Sequence, residues 1–469
     1  MLFNSWIFFL FALIVLPLYH ALPFRWQNRM LLVASYVFYG TWDYRFLFLL
    51  LLTTTIDYFV ARGLQATDDP IKRKWLLAAT LVSNLSVLGF FKYFNFFSEQ
   101  LEALLRVVGF NPNFFHLQVV LPVGISFFTL QTIGYVIDVY WKKIPAEKNF
   151  LDFALFISYF PQLVAGPIEQ AGHLIPQLTR PRPRITFPDV ASSCWLILLG
   201  YFKKCVVADN IAAAIDPMLA GPTPGGLASL LITYLFTIQL YCDFAGYCDI
   251  ARGVSKLMGI NLMVNFNLPM IARNPVEYWN RWHISLSLWF RHYVYIPLGG
   301  NRGGLARTLS NLMITFMLSG LWHGPKWSWV TWGAYHGLWL CAYRLAFPKQ
   351  KKQHHLHWTI DLLCRIAWFH VVAFGLLIIR TDTPDKFFEV MISIFTNMSW
   401  KLEAAEPFFL LSFLGGLLFT IELWVRNRDN PWEAKWWNYG LGVLMVTIVV
   451  LTLWFLPAPV GKPFIYFQF

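Results

Sequence analysis

Three histidines stand out as side chains able to carry a proton: His283 in RWHISLS, His323 in SGLWHGPKW and His336 in GAYHG, the last two within otherwise apolar sequence. An imidazole, with an ordinary pKa of about 6.5, suits proton transfer near neutral pH. The chemistry it offers is general-base activation of a hydroxyl, which contributes roughly 10²–10⁴-fold in rate. His323 carries the most local information. Trp322 precedes it and Gly324-Pro325 follows, so a helix running up to it ends or kinks there. A break of that kind loosens the backbone and leaves room for a substrate. No Asp or Glu adjoins His323, so a group that orients it must come from elsewhere in the fold. Each of the three histidines can equally be a structural residue bonded to a neighbouring helix.

Two acids lie in QLYCDFAGYCD. Gln239 and Asp243 are four residues apart and share a helix face, and Asp249 follows near the end of the segment, just before Arg252. A buried carboxylate needs a partner. These acids are therefore expected to be structural, paired with arginines of the 273–302 stretch. The three histidines are far apart and no HExxH or acidic ligand pattern accompanies them, so the expectation is a site without metal. His354, His355 and His357 resemble a metal-binding tract, but without a flanking acid or cysteine they read as a solvated loop. Cys194, Cys205, Cys242, Cys248, Cys341 and Cys364 lie in or beside apolar stretches with no CxxC pair, and read as free thiols.

The elements that must position these residues are membrane helices. Of 469 residues, 57% are hydrophobic and 13% charged, and the mean hydropathy is +0.51. A soluble domain has about 25% charged residues, and no single water-soluble core could hide this much apolar surface. Crossing the hydrocarbon takes roughly 20 apolar residues per helix. Runs meeting that description, within a few residues, begin near residues 3, 28, 44, 75, 118, 151, 190, 226, 309, 327, 360, 407 and 439. Some are too short to span alone. The reading is an all-α integral membrane protein with about eleven transmembrane helices plus re-entrant or partial pieces, forming one domain over 1–469. Phe3 to Tyr19 lacks a positive n-region and a cleavage site, and reads as a retained first span. The net charge of +12 is that of basic loops left in the cytoplasm, around Arg62 to Lys74, Arg180 to Arg184 and Lys349 to Lys352, and nucleic acid is not an expected partner. Residues 261–304 break the pattern. Apolar and aromatic residues there alternate with Arg273, Glu277, Arg281, His283, Arg291, His292 and Arg302. Such backbone at membrane depth is tolerated only when buried in protein or lining a wet cavity, so a functional interior is expected.

At that stretch the sequence becomes familiar. EYWNRWHISLSLWFRHYVYIPLGGNRGG and SGLWHGPKWSWVTWGAYHG resemble the membrane-bound O-acyltransferase family, in its bacterial branch of alginate and peptidoglycan O-acetylating proteins and teichoic acid D-alanyl transfer proteins. LPVGISFFTLQTIGYVIDVY (121–140), FPQLVAGPI (160–168), QLYCDFAGYCDIARG (239–253) and the terminal FIYFQF extend the likeness over nearly the whole chain. It implies helices around a central funnel open to the outside, a catalytic core over about 118–347, and a place in the bacterial inner membrane. It further implies His323 as the catalytic histidine and His283 as its supporting partner, with His336 at a family position. Acetyl rather than D-alanyl transfer follows from the GGNRGG piece and the FIYFQF end. An acyl thioester such as acetyl-CoA needs only a base for the nucleophile and donors for the oxyanion. The expected set at the donor's acyl end is His283, Asn280, Arg281, Trp322 and His336. Acetyl-CoA is cytoplasmic and an exported polysaccharide is not, so an extracytoplasmic acetyltransferase or carrier partner is expected to complete the transfer. A polytopic transporter and a secretion scaffold remain as alternatives, as do peptidoglycan acetylation and D-alanyl transfer on the same fold.

Overall fold

The computed structural model describes residues 1–110, 120–348, 357–381, 383–425, 437–458 and 464. The described residues are helical, with no strand among them. They gather into two compact units, one of 1–184 with 258–263 and 324–326, the other of 185–257, 264–323 and 327–469.

The first unit contains α1 (Trp6–Ala21), α2 (Phe24–Gly40), α3 (Arg45–Ala66), α4 (Pro70–Val107), α5 (Ile125–Tyr140), α6 (Phe150–Ser158) and α7 (Ala171–Thr179). Asp69 starts α4 by accepting the Ile71 N–H, with Pro70 at the first helical position, where a missing N–H costs nothing. Arg73 in that first turn is buried. Its guanidinium donates to the Leu64 and Thr67 carbonyls at the end of α3 and to the Tyr140 carbonyl at the end of α5, satisfying two helix C-termini with one cation. Deeper in, Asn84 of α4 donates to both Asp57 oxygens of α3 and accepts from the Thr132 hydroxyl of α5. Polar bonds of this kind join helices where apolar contacts alone give no preference over lipid.

The second unit holds α8 (Phe187–Ala220), α9 (Gly226–Lys256), α10 (Pro275–Trp279), α11 (Ile284–Phe290), α12 (Gly304–His323), α13 (Trp327–Ala346), α14 (Trp358–Arg380), α15 (Pro384–Thr396), α16 (Leu402–Trp424) and α17 (Trp437–Phe455). Inside α8, residues Phe202–Ala208 form a π turn that presents two successive lysines to buried and half-buried acids. Lys204 bonds Asp243 at 2.5 Å and Asp209 at 2.8 Å, and Lys203 bonds Asp249 at 3.0 Å and Glu422 at 2.9 Å. This corrects the partners expected for Asp243 and Asp249. The acids are ion-paired, but to lysines of α8. Arg273 and Arg281 are instead taken by Glu277, one helical turn from each, and Arg273 also reaches Asp361, which Arg365 shares.

Six helices among the described residues are long and apolar enough to cross a bilayer: α3, α4, α8, α9, α14 and α16; Trp6–Ala21 and Gly442–Phe455 are shorter apolar helices. Large apolar side chains such as Phe48, Trp75 and Trp454 are exposed, a surface suited to lipid. α12 and α13, at 20 residues each, are long enough but less apolar, and they carry two of the histidines. Within 264–304 the backbone is irregular, with α10, a left-handed turn at His283, α11 and a π turn at Arg291–Tyr295. Asn265, Tyr278, Trp282, His283 and Ser285 in it are buried, as expected for an interior segment. Lys349 to Lys352, His354, His355 and all of FIYFQF except Phe464 lie outside the described residues; His357 is exposed and bonds Thr359.

Candidate active site

α12 and α13 form an antiparallel hairpin whose backbones touch. A Cβ on Gly320 would fall 2.2 Å from the Trp329 carbonyl oxygen, and one on Gly333 would fall 2.3 Å from that of Phe316. Only glycine permits this approach, the small-residue contact of membrane helices. The close approach places His323, the last residue of α12, against the first turns of α13. Its ring stacks on Trp329 at 5.0 Å and 19°, meets Trp332 edge-on at 5.3 Å, and has Trp322 at 5.0 Å on a third side. His323 is buried in this aromatic cage.

His283 lies 6.2 Å from His323 between ring centroids, too far for a direct ring-to-ring hydrogen bond. Phe244 of α9 packs edge-on against it at 4.7 Å. His283 caps α11 with φ of 41° and ψ of 55°, a left-handed backbone uncommon outside glycine. Its Nδ1 is 3.2 Å from Asn265 Oδ1. That oxygen also accepts the Ser285 N–H and hydroxyl, the Asn265 carbonyl accepts the Ile284 N–H, and its amide nitrogen lies 3.4 Å from Cys248 Sγ.

His336 is fully buried one face-turn further along α13. Trp332 lies between it and His323, 4.9 Å from the His336 ring, and Tyr278 stacks over it at 6°. Neither ring nitrogen has a hydrogen-bond partner among the described residues. A Cβ on Gly375 of α14 would sit 3.1 Å from Nε2, so α14 closes that side. Asn280 is exposed. Arg281 donates to Glu277 and to the Asn267 carbonyl, which commits its guanidinium to the segment's own fold. The structure thus gathers His323, His283, Trp322 and His336 around one aromatic cluster.

Sequence reasoning missed Trp329, Trp332 and Asn265. The tryptophans were findable, since 329, 332 and 336 fall on one helical stripe with His336. Asn265 acts across 18 residues from an irregular segment, where no periodic signal exists. Chemically, the cluster offers a buried imidazole with aromatic walls, next to a second imidazole whose orientation is fixed.

Comparison with known proteins gives the cluster its setting. The family model of the membrane-bound O-acyltransferases matches residues 142–379, a span that contains all three histidines. The chain is 38% identical to the probable alginate O-acetylase AlgI of Azotobacter vinelandii, over 86% of this chain and 79% of that one. It is 34% identical to the Pseudomonas putida protein of the same name over the full length of both. With the peptidoglycan O-acetyltransferase of Helicobacter pylori it shares 36% identity, over 72% of this chain and 69% of that one. A likeness that runs from end to end and encloses the buried histidines leaves one assignment: this multi-pass membrane protein is an acyltransferase and belongs to the membrane-bound O-acyltransferase family.

Proposed function

We propose that the protein moves an acetyl group from a cytoplasmic thioester, acetyl-CoA, across the bilayer for O-acetylation of an exported polysaccharide such as alginate. The observation that supports this most directly is His323 held in its tryptophan cage beside His283, in a chain 34–38% identical to alginate O-acetylases. His323 takes the proton from an acceptor hydroxyl. The acceptor oxygen attacks the thioester carbonyl, the C–S bond breaks, and the leaving thiolate recovers the proton from the imidazolium as free thiol. The Trp329 face, nearly parallel to the His323 ring, favours the positive charge that appears in this step. His283 assists by accepting a hydrogen bond from the acceptor hydroxyl, and Trp322 and His336 bound the acyl end of the donor. Asn280 and Arg281 are further candidates there.

The chain has no hydrolase-type GxSxG motif, and a separate extracytoplasmic protein or carrier supplies the accepting hydroxyl. Peptidoglycan is the second candidate acceptor, carried by the identity to the Helicobacter pylori enzyme. The test uses vesicles loaded with labelled acetyl-CoA on the cytoplasmic side. Label should leave the thioester only with an acceptor outside, and not in the His323→Ala variant. Transfer at the wild-type rate by that variant refutes the base; efficient acetylation of free polymer by this chain alone refutes the partner.

A further inference from the structure

A histidine that takes part in proton transfer must present a defined nitrogen, and the hydrogen bonds around His283 determine which one. The backbone N–H of Ser285 can only donate, and it points at the Asn265 side chain at 3.2 Å. The atom it meets must therefore be the amide oxygen. The amide nitrogen then lies toward Cys248 Sγ, a weak acceptor, at 3.4 Å. His283 Nδ1 is 3.2 Å from the same oxygen, and a ring nitrogen facing an acceptor must carry the hydrogen. In a neutral ring the lone pair is then on Nε2. Flipping the amide would turn its NH₂ on the Ser285 N–H, donor against donor.

The same residue holds the backbone. Its carbonyl accepts the Ile284 N–H at 2.9 Å, so Asn265 engages residues 283, 284 and 285 in succession. His283 is one of three non-glycine residues with positive φ among the described residues. A left-handed non-glycine residue persists only where its surroundings over-determine it. Asn265, itself buried at 1% exposure, supplies that constraint. Phe244 against the ring face removes the remaining rotational freedom.

We infer that Asn265 is the positioning residue of the acyl-transfer site: it fixes His283 in the Nδ1–H tautomer, with Nε2 as the proton-accepting nitrogen. The inference deepens the acyl-transfer reading above, but its tautomer statement can be measured without any activity. The experiment is nitrogen NMR on the full-length protein with isotope-labelled histidine, the His283 signal being identified by its loss in His283→Ala. Wild-type His283 should show a single neutral tautomer with Nδ1 protonated. Asn265→Leu should lose that signature and reduce turnover by about tenfold or more, since a wrong tautomer disables a catalytic histidine, with the donor KM changed by less than about twofold. Asn265→Asp keeps an acceptor oxygen and should retain Nδ1–H and more turnover than the leucine variant. An Nε2–H ring in the wild type overturns the inference, even if Asn265→Leu does not fold. So does Asn265→Leu with wild-type tautomer and turnover. Full activity in His283→Ala overturns the catalytic reading itself, and is thereby distinguished from failure of the Asn265 assignment.

Discussion

Gly320→Ala should cripple the enzyme without touching a histidine. The added Cβ would lie 2.2 Å from the Trp329 carbonyl oxygen, whereas real Cβ atoms essentially never come within 3.0 Å of another heavy atom. Helix α12 must therefore move from α13 by at least 0.8 Å at that point, the difference between those two distances. The obstruction is backbone on both sides, with Gly333 and Phe316 in the same seam, so no side chain can rotate to absorb it. The displaced pair is His323 and Trp329, whose rings stack at 5.0 Å. A misplacement of about 1 Å costs on the order of 10²-fold in rate, and overpacking a well-filled contact costs about 1–3 kcal/mol of stability. The expected result is a fall in kcat of on the order of 10²-fold, with the protein still inserted and folded. Acetyl transfer from labelled acetyl-CoA, read beside thermal unfolding in detergent, measures both. Gly63→Ala is the control, because its Cβ meets only the end of the Leu76 side chain at 3.3 Å, and turnover should be unchanged. A Gly320→Ala enzyme with wild-type kcat would refute the claim that this seam sets the geometry of the cage.

Three further outcomes follow from the same geometry. His323→Ala should lower transfer by about 10²–10⁴-fold while the protein remains folded, and His283→Ala should be severely impaired with a measurable remainder; near-normal acetylation in the first variant excludes it as the base. Lys203→Met leaves Asp249 and Glu422 without their shared ammonium and should cost about 3–5 kcal/mol of stability, partly recovered by adding Glu422→Gln; a loss below about 1 kcal/mol in denaturant unfolding would count against the pairing. His173, on the short helix α7, bonds Glu169 at 2.7 Å, and this bond raises its pKa above the ordinary 6.5. The folded-state value exceeds the unfolded one, so the contribution to stability is complete below pH 6.5 and is lost as pH rises through the raised value. The ring is half-exposed, which keeps the effect under about 1 kcal/mol; an NMR titration midpoint at or below the ordinary value, or one unmoved by Glu169→Gln, would contradict it.

How far the sequence revealed this depends on whether a feature is written locally. The end of α12 at His323 is, because Gly324-Pro325 cannot continue a helix. The irregular interior of 264–304 is too, because its mixture of arginines and aromatics suits neither lipid nor a free loop. The lysine partners of Asp243 and Asp249 are not. Successive residues of an ordinary helix point about 100° apart, so Lys203 and Lys204 do not read as two ligands for one neighbouring helix. The π turn at Phe202–Ala208 that brings both to α9 leaves no mark in local propensity. Nor does the left-handed turn at His283, since histidine adopts it in only a small minority of cases and the residue that enforces it lies far back at Asn265.

These hidden features bear on one helix, and through it on the site. Asp243 and Asp249 of α9 are the residues the two lysines hold, and Tyr241 of α9 donates to Glu422. Tyr241 also packs on Phe266 and Trp282, and Phe244, next to Asp243, lies edge-on to His283. One wall of the histidine site is therefore tied to the ion pairs that hold α9. In lipid, apolar contact between helices gives little preference for one register over another. Buried pairs do, because a one-residue slip leaves charges without partners. The acids that the sequence marks as structural thus do geometric work, holding α9 at the position from which its aromatic residues confine the His283 imidazole.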